Sequence, residues 1–341
     1  MRILHIDNVM IRRYGNTKVA TGRKLFNGLI RNNHKVLEFS DRDIAHFEAP
    51  FNIKPLGFGK SNRRLVESCE NFQPDLLLLG HCDIIKNETL FEIKRLLPQV
   101  KIAYRNVDPL WDSAVLEKIR YRLPVADAIF ITTGGDHLKQ FLTGNNVVSY
   151  MPNPTDPCVE DQSNADKTSF EHDLIFCGVG NPSDDRYPFV GSLHDTLDSE
   201  LKFDSFGMHG HPAIWGKPYD MALSGSRMGL NLNRFEGWHL YSSARISQLM
   251  GNGILTFLSD KNHLQRFFGA ESAAYFSDFD DLVKKIRLYQ ANDDLRRQTA
   301  KMGQAFYREH FSGQRVSQYI IETTLGLPHS HDYLWRDEVY R

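Results

Sequence analysis

The sequence of 341 residues lacks the features that mark several classes of protein. It has only four cysteines, at 69, 82, 158 and 177, and no Cys-x-x-Cys pair, which argues against a zinc site and a disulfide framework. Its longest clean apolar runs, such as 76–79 and 128–131, fall far short of the roughly 20 residues that a membrane-spanning helix needs. An acidic residue, Asp7, stands where a secretory signal would be apolar, so we expect a soluble, cytoplasmic protein.

Charge is balanced overall but is unevenly distributed. The net charge of −1 argues against a general nucleic-acid binder. Residues 1–150 carry 22 Lys and Arg against 16 Asp and Glu, a balance of +6, and the remainder carries −7. The basic half predicts contact with something anionic, such as the inner face of a membrane or a charged acceptor. The alternative is an accidental difference between two solvated surfaces.

Apolar segments alternate between strand and helix patterns along the chain. In the first half, strands are predicted at 2–7, 35–39, 76–79, 101–105 and 128–132, with helices between them. Three prolines within 152–157 interrupt the pattern, which restarts with strands at 173–177, 201–206, 228–232 and 253–258. This order predicts an α/β protein with two tandem Rossmann-like domains, 1–152 and 153–311. We expect residues 312–341 to form a C-terminal helix and tail that can return to the first domain.

The most specific segment, 231–255, reads as strand, polar loop, helix, glycine turn and strand. Tyr241, Ser242 and Ser243 precede the helix, where a serine can cap it and leave backbone N–H groups facing an anion. Arg245 follows in the first turn with a forked donor, and Gln248 is one turn further along. A capped surface helix with a solvated arginine is the competing interpretation.

This segment resembles the C-terminal motif of the group 1 glycosyltransferases of the GT-B type, especially the spore-maturation-protein-like branch. The spacing of 245–253 matches the family, as do 263–268, 274–286, 292–303 and 310–311, so that the resemblance covers about 173–320. The family usually has Glu at the position of Gln248, where it holds the ribose of the donor. An amide can still hydrogen-bond there but carries no charge.

The resemblance implies a metal-independent enzyme without a cofactor and with two lobes facing a cleft. Such an enzyme moves a sugar from a nucleotide-sugar donor to a saccharide or glycolipid acceptor, as in polysaccharide or lipopolysaccharide synthesis of the cell envelope. Nucleotide-sugar 2-epimerases share the architecture and are one alternative. A degenerate protein that binds sugar nucleotides without catalysis is another.

Loops after strands supply further donor-side candidates. Gly178, Gly180 and Asn181 follow the first strand of the second domain, where glycines allow close approach to a diphosphate, and Arg186 could neutralise it. The short Gly-x-Gly lacks the spacing of a dinucleotide fingerprint, which argues against NAD. His209 follows the next strand, and its His-x-His pattern has no carboxylate cluster nearby that would favour a metal.

Acceptor-side candidates lie in the first domain. The loop after the first strand contributes Asp7, Arg13, Tyr14 and Gly15. A transferase that uses a general base needs a His or a carboxylate to take the acceptor proton, and His81 and Asp108 both follow predicted strands. With Arg245 stabilising the departing diphosphate, these are the predicted catalytic residues.

Overall fold

The computed structural model describes residues 1–13 and 20–341 and divides into two compact units. The first comprises Met1–Pro154 with Gly313–Arg341, and the second comprises Thr155–Ser312.

Strands and helices alternate along most of the chain. The strands are β1 (Arg2–Asp7), β2 (Lys35–Ser40), β3 (Leu76–Leu79), β4 (Lys101–Asn106), β5 (Ala128–Ile131), β6 (Val147–Tyr150), β7 (His172–Cys177), β8 (Phe203–Phe206), β9 (Ser226–Asn231), β10 (Leu255–Ser259), β11 (Ala274–Phe276) and β12 (Val339–Tyr340). The helices are α1 (Ala20–Arg31), α2 (Asp41–Phe47), α3 (Phe58–Phe72), α4 (Asn87–Leu96), α5 (Ser113–Arg122), α6 (Arg186–Leu197), α7 (Gly216–Ser224), α8 (Arg245–Gly251), α9 (Phe279–Ala291), α10 (Asp293–His310) and α11 (Gly313–Leu325).

The first unit is a seven-stranded sheet in the order β12-β6-β5-β4-β3-β1-β2. All its strand pairs are parallel except that of β12 with β6. Strand β3 is four consecutive leucines, all fully buried, as expected for a central parallel strand covered on both faces. Helix α11 packs on α1, where Gly28 lies against the Gly313 backbone with no room for a Cβ.

The second unit is a five-stranded parallel sheet in the order β11-β10-β9-β7-β8. Leu174 pairs with Met228 on one side and with Phe203 on the other, which sets the register of the central strands. Phe176 and Phe257 are fully buried in its core. Both sheets therefore reverse their strand order between the first and third strands of the unit.

The predicted fold class, two parallel-sheet α/β units in tandem, is confirmed. The sequence patterns did not predict α2, β6, β11 or β12, each of which is short. Among the helices that the structure describes, none combines the length and the apolar character needed to cross a bilayer.

Candidate functional site

Arg245 joins the carboxyl ends of β7 and β9, where the strand order of the second sheet reverses and where open parallel sheets bind ligands. Its Nε donates to the Cys177 carbonyl at 2.6 Å, and its Nη1 donates to the Leu232 carbonyl at 3.0 Å. The guanidinium lies over the Phe176 ring at 4.6 Å. Nη2 alone of the three nitrogens makes no hydrogen bond to the described residues, so it remains available to a ligand.

Two more arginines approach the same place. Arg186 begins α6 and is buried, and its guanidinium lies 5.9 Å from the centre of the same Phe176 ring. Arg186 and Arg234 each lie 3.8 Å from the Asp184 carboxylate. Burial, together with the charges of Arg245 and Arg234, lowers the pKa of Arg186 to about 10. Asp184 lies near two of these three guanidinium groups, and Arg245 pairs with no carboxylate among the described residues, which leaves a positive site suited to an anion such as a diphosphate.

The glycine turn after β7 serves this arginine group rather than presenting free N–H groups. The N–H groups of Gly178 and Gly180 donate to the carbonyls of Phe206 and Gly207. A Cβ on Gly178 would lie 2.8 Å from Nη2 of Arg245, so this position needs glycine to admit the guanidinium. The Asn181 side chain accepts the Ser183 N–H at 3.0 Å and closes the turn.

The predicted serine cap of α8 is absent, which corrects our expectation. Ala244 is the N-cap residue, and no side chain caps the helix. Ser242 instead accepts a hydrogen bond from the Asn231 side chain at 3.0 Å, and Ser243 donates to the same side chain at 3.4 Å. Tyr241 is buried beside them. These residues fix the loop that carries Arg245 and do not form a capped anion site.

Gln248 faces Tyr219 of α7, whose hydroxyl donates to its Oε1 at 2.7 Å. Burial raises the pKa of Tyr219, so the phenol stays protonated and keeps this donor role. The carbonyl oxygen of the Gln248 side chain therefore already accepts a hydrogen bond from within the second unit.

A cavity of about 280 Å³ lies beside the arginine group, near the lower end of the roughly 300–1,000 Å³ range of small-molecule sites. Its walls include Arg186, Glu236 from the loop after β9, Lys261 after β10 and Asp278 after β11. Burial raises the pKa of Glu236, whose Oε1 accepts the Asn233 N–H at 3.1 Å. A carboxyl group and an ammonium group in one cavity can bind the hydroxyls of a sugar.

His209 packs on α6 and is not part of a metal cluster. Its Nε2 bonds to the Tyr187 carbonyl at 2.7 Å, and the two rings lie 4.0 Å apart. Across the described residues, no group of three or more His, Cys, Asp or Glu side chains could hold a metal ion.

In the first unit, Asp7 is buried and does not face solvent as an acceptor-side group would. Burial alone would raise its pKa, but the Arg105 guanidinium, which pairs with it directly, and His5 hold the pKa well below its usual range. The other oxygen, Oδ1, accepts the backbone N–H of His81 at 3.0 Å. Asp7 therefore positions the His81 loop.

His81 lies at the carboxyl end of β3, with Nδ1 3.9 Å from the Asp108 carboxylate. Burial and the Arg105 charge lower the pKa of His81 despite the opposing effect of Asp108. The imidazole is consequently neutral near pH 7 and able to accept a proton. A cavity of about 410 Å³ adjoins this loop and is lined by Gly80, Asp83, Tyr104, Glu117 and Tyr121, among others.

The remaining acceptor-side predictions fall at the edge of the described chain. Arg13 ends a short 3-10 helix, Ile11–Arg13, while Tyr14 and Gly15 lie outside the described residues. Part of the positive charge of residues 1–150 is already engaged within the unit. Lys24 is fully buried, and Arg23 donates to Glu38 at 3.2 Å.

Comparison with known proteins finds similarity to glycosyltransferases. Residues 181–322 match the family model described as "Glycosyl transferase-like". Among proteins with curated descriptions, none matches the sequence. The structure is similar to a sucrose-phosphate synthase from Thermosynechococcus elongatus, with a TM-score of 0.58 at 11% identity over 96% of this chain and 98% of that one.

Two further solved structures are similar to this chain over nearly its whole length. Anabaena HepE in complex with UDP and glucose has a TM-score of 0.57 at 12% identity, covering 96% of this chain and 100% of that one. AviGT4, a glycosyltransferase of avilamycin A biosynthesis, has a TM-score of 0.57 at 11% identity and full coverage of both chains. The chain has the GT-B glycosyltransferase fold.

Sequence reasoning missed several residues of this GT-B chain's candidate site. Arg234 and Glu236 lie in the polar loop after β9, and Asp184 lies just before α6. Their clustering depends on which strands are neighbours in the sheet. The signal that could have found them was the density of charged residues in loops following predicted strands.

Proposed function

We propose that this chain is a glycosyltransferase that moves a sugar from a nucleoside-diphosphate donor to a saccharide acceptor without a metal ion. The observation that carries the proposal is the group of Arg186, Arg234 and Arg245 at the strand-order reversal of the second sheet. The family match over 181–322 and the UDP-containing structural neighbour support it.

The donor's diphosphate binds the arginine group in this proposal. Nη2 of Arg245 and the guanidinium of Arg186 donate to its oxygens, and their charges stabilise the departing nucleoside diphosphate. The sugar occupies the adjoining cavity, where Glu236 and Lys261 bind its hydroxyls. Gln248 accepts a hydrogen bond from Tyr219 through its Oε1, and its amide N–H groups donate to the ribose of the donor.

On the acceptor side, His81 acts as the general base. Its neutral imidazole takes the proton of the acceptor hydroxyl, the oxygen bonds to the sugar's anomeric carbon, and the bond from that carbon to the diphosphate breaks. Asp108 faces the resulting imidazolium, and Asp7 holds the loop in place through the His81 N–H. The cavity with Tyr104 and Tyr121 receives the acceptor saccharide.

The acceptor in this proposal is a cell-envelope glycan or glycolipid, of the kind used in polysaccharide or lipopolysaccharide synthesis. In this proposal the chain works in the cytoplasm at the periphery of an anionic membrane, and it belongs to the spore-maturation-protein-like branch of the group 1 glycosyltransferases. The basic balance of residues 1–150 supports this placement, because cationic surfaces are attracted to anionic lipids.

Incubation with a panel of nucleotide sugars tests the proposal. Each nucleoside diphosphate is first screened by thermal shift, because a ligand that binds the native state raises its apparent stability. We expect one nucleotide class to stabilise the protein and its sugar conjugate to release free nucleotide when a saccharide acceptor is present. An epimerised donor, or binding without nucleotide release across the panel, would contradict glycosyl transfer.

A further inference from the structure

An exposed apolar surface lies between α2 and α3 of the first unit. Two short 3-10 helices, Pro50–Asn52 and Lys54–Gly57, connect these helices. Phe51 is 90% exposed, and Phe47, Leu56 and Ile53 are 63%, 55% and 51% exposed. We call these four side chains the 47–56 surface. Large apolar side chains clustered in this way mark interaction sites more often than isolated ones do.

The backbone holds these side chains outward. Ile53 donates its N–H to the Pro50 carbonyl at 3.1 Å, and Leu56 donates to the Ile53 carbonyl at 2.9 Å. Phe51 has a φ of 57°, in the left-handed region that a bulky residue rarely adopts. Gly57 lies against the Ala45 carbonyl with no room for a Cβ. The segment is thus a hydrogen-bonded turn that holds Phe51 in a strained backbone conformation with its side chain exposed to solvent.

Two lysines lie at the 47–56 surface, and neither forms an ion pair with the described residues. Residues 47–64 contain four Lys or Arg and a single acidic residue, Glu48. Arg64 pairs with Glu48 at 2.7 Å. Lys54, within the surface segment, and Lys60, in the first turn of α3, form no ion pair within residues 1–13 and 20–341. Their positive charge therefore remains available to an external partner.

We propose that the 47–56 surface docks this chain on an anionic lipid bilayer. The apolar side chains enter the boundary between headgroups and acyl chains, while Lys54 and Lys60 contact lipid phosphates. This inference rests on the proposed function only in its choice of a membrane as the partner. It assigns to one surface the anionic contact that the charge balance of residues 1–150 predicts.

Flotation with vesicles tests the docking surface. The full chain should float with phosphatidylglycerol vesicles, float less with phosphatidylcholine vesicles, and dissociate at about 0.5 M salt, where charges are strongly screened. The double variant Phe51→Ser/Ile53→Ser should lose about tenfold or more in vesicle binding. Lys54→Glu and Lys60→Glu should each weaken binding to the anionic vesicles about fivefold.

Phe91→Ser on α4 is the matched control, because Phe91 is also exposed, at 49%, but lies outside this surface. It should float like the wild type. Thermal shift with UDP on the same preparations separates this inference from the proposed function, because donor binding should survive every variant. Wild-type protein that fails to float, or a double variant that floats normally, would overturn the docking. So would a wild-type dimer that the double variant converts to a monomer, with neither binding vesicles.

Discussion

Replacing Arg245 with Gln should weaken both folding and donor binding, and the two effects can be separated. The buried guanidinium satisfies the carbonyls of Cys177 and Leu232. Leaving two buried acceptors without donors costs about 2–6 kcal/mol of unfolding free energy, measured by urea denaturation. Losing the Nη2 donor and its charge removes about 1.5–3 kcal/mol of binding free energy, which raises the Kd for UDP roughly 10–150-fold.

Arg308→Gln provides the matched control. Arg308 on α10 also binds backbone carbonyls, those of Gly251, Glu160 and Gln162, but away from the arginine group. This variant should lose stability while keeping the wild-type Kd for UDP in isothermal titration calorimetry. Equal weakening of UDP binding by both variants would show that general destabilisation, and not the position of Arg245, determines the affinity.

Three further predictions concern the first unit and the chemistry. Because the pKa of His81 is lowered, kcat/KM should stay level from neutral pH to below about 6.5, and a decline centred above pH 7 would contradict its role as base. Asp7→Asn should destabilise by about 3–5 kcal/mol in urea denaturation, since Arg105 is left buried and unpaired; full wild-type stability would refute this. Activity should survive a chelator, and loss restored by Mg²⁺ would disprove metal independence.

The stability that Asp7 contributes has a defined pH dependence. Its folded pKa is depressed by the Arg105 guanidinium, so the contribution is present above its ordinary pKa near 3.8 and is lost as the pH falls through the depressed folded value. The stability that Asp7 contributes should therefore not vary with pH near neutrality. On acidification below about pH 3.8, the wild type should lose unfolding free energy more steeply than Asp7→Asn.

The fold was largely predictable from local patterns. The four leucines of β3 predict a buried strand, and the apolar stripe of α1 predicts a helix that packs on the sheet. The short strand β12 could not be found this way, because two residues carry no periodicity and its pairing with β6 is antiparallel and distant in sequence.

The candidate site was predictable in position more than in detail. The sequence placed Arg245 at the start of a helix after a strand, and the structure agrees. It could not indicate that the guanidinium donates to carbonyls at the strand ends, or that it lies close to Gly178. Both contacts depend on which strands are neighbours in the sheet. The side chain of Asp7 was misread for the same reason, since its partner Arg105 comes from a different strand.

Comparing UDP with uridine by thermal shift tests the central claim that the arginine group of the second unit binds a diphosphate. Arg186 and Arg245 supply charge and hydrogen bonds that only the diphosphate can use. We predict that UDP raises Tm clearly, that uridine hardly changes it, and that salt reduces the UDP effect. Equal shifts with UDP and uridine, or no shift with any nucleoside diphosphate, would contradict the account.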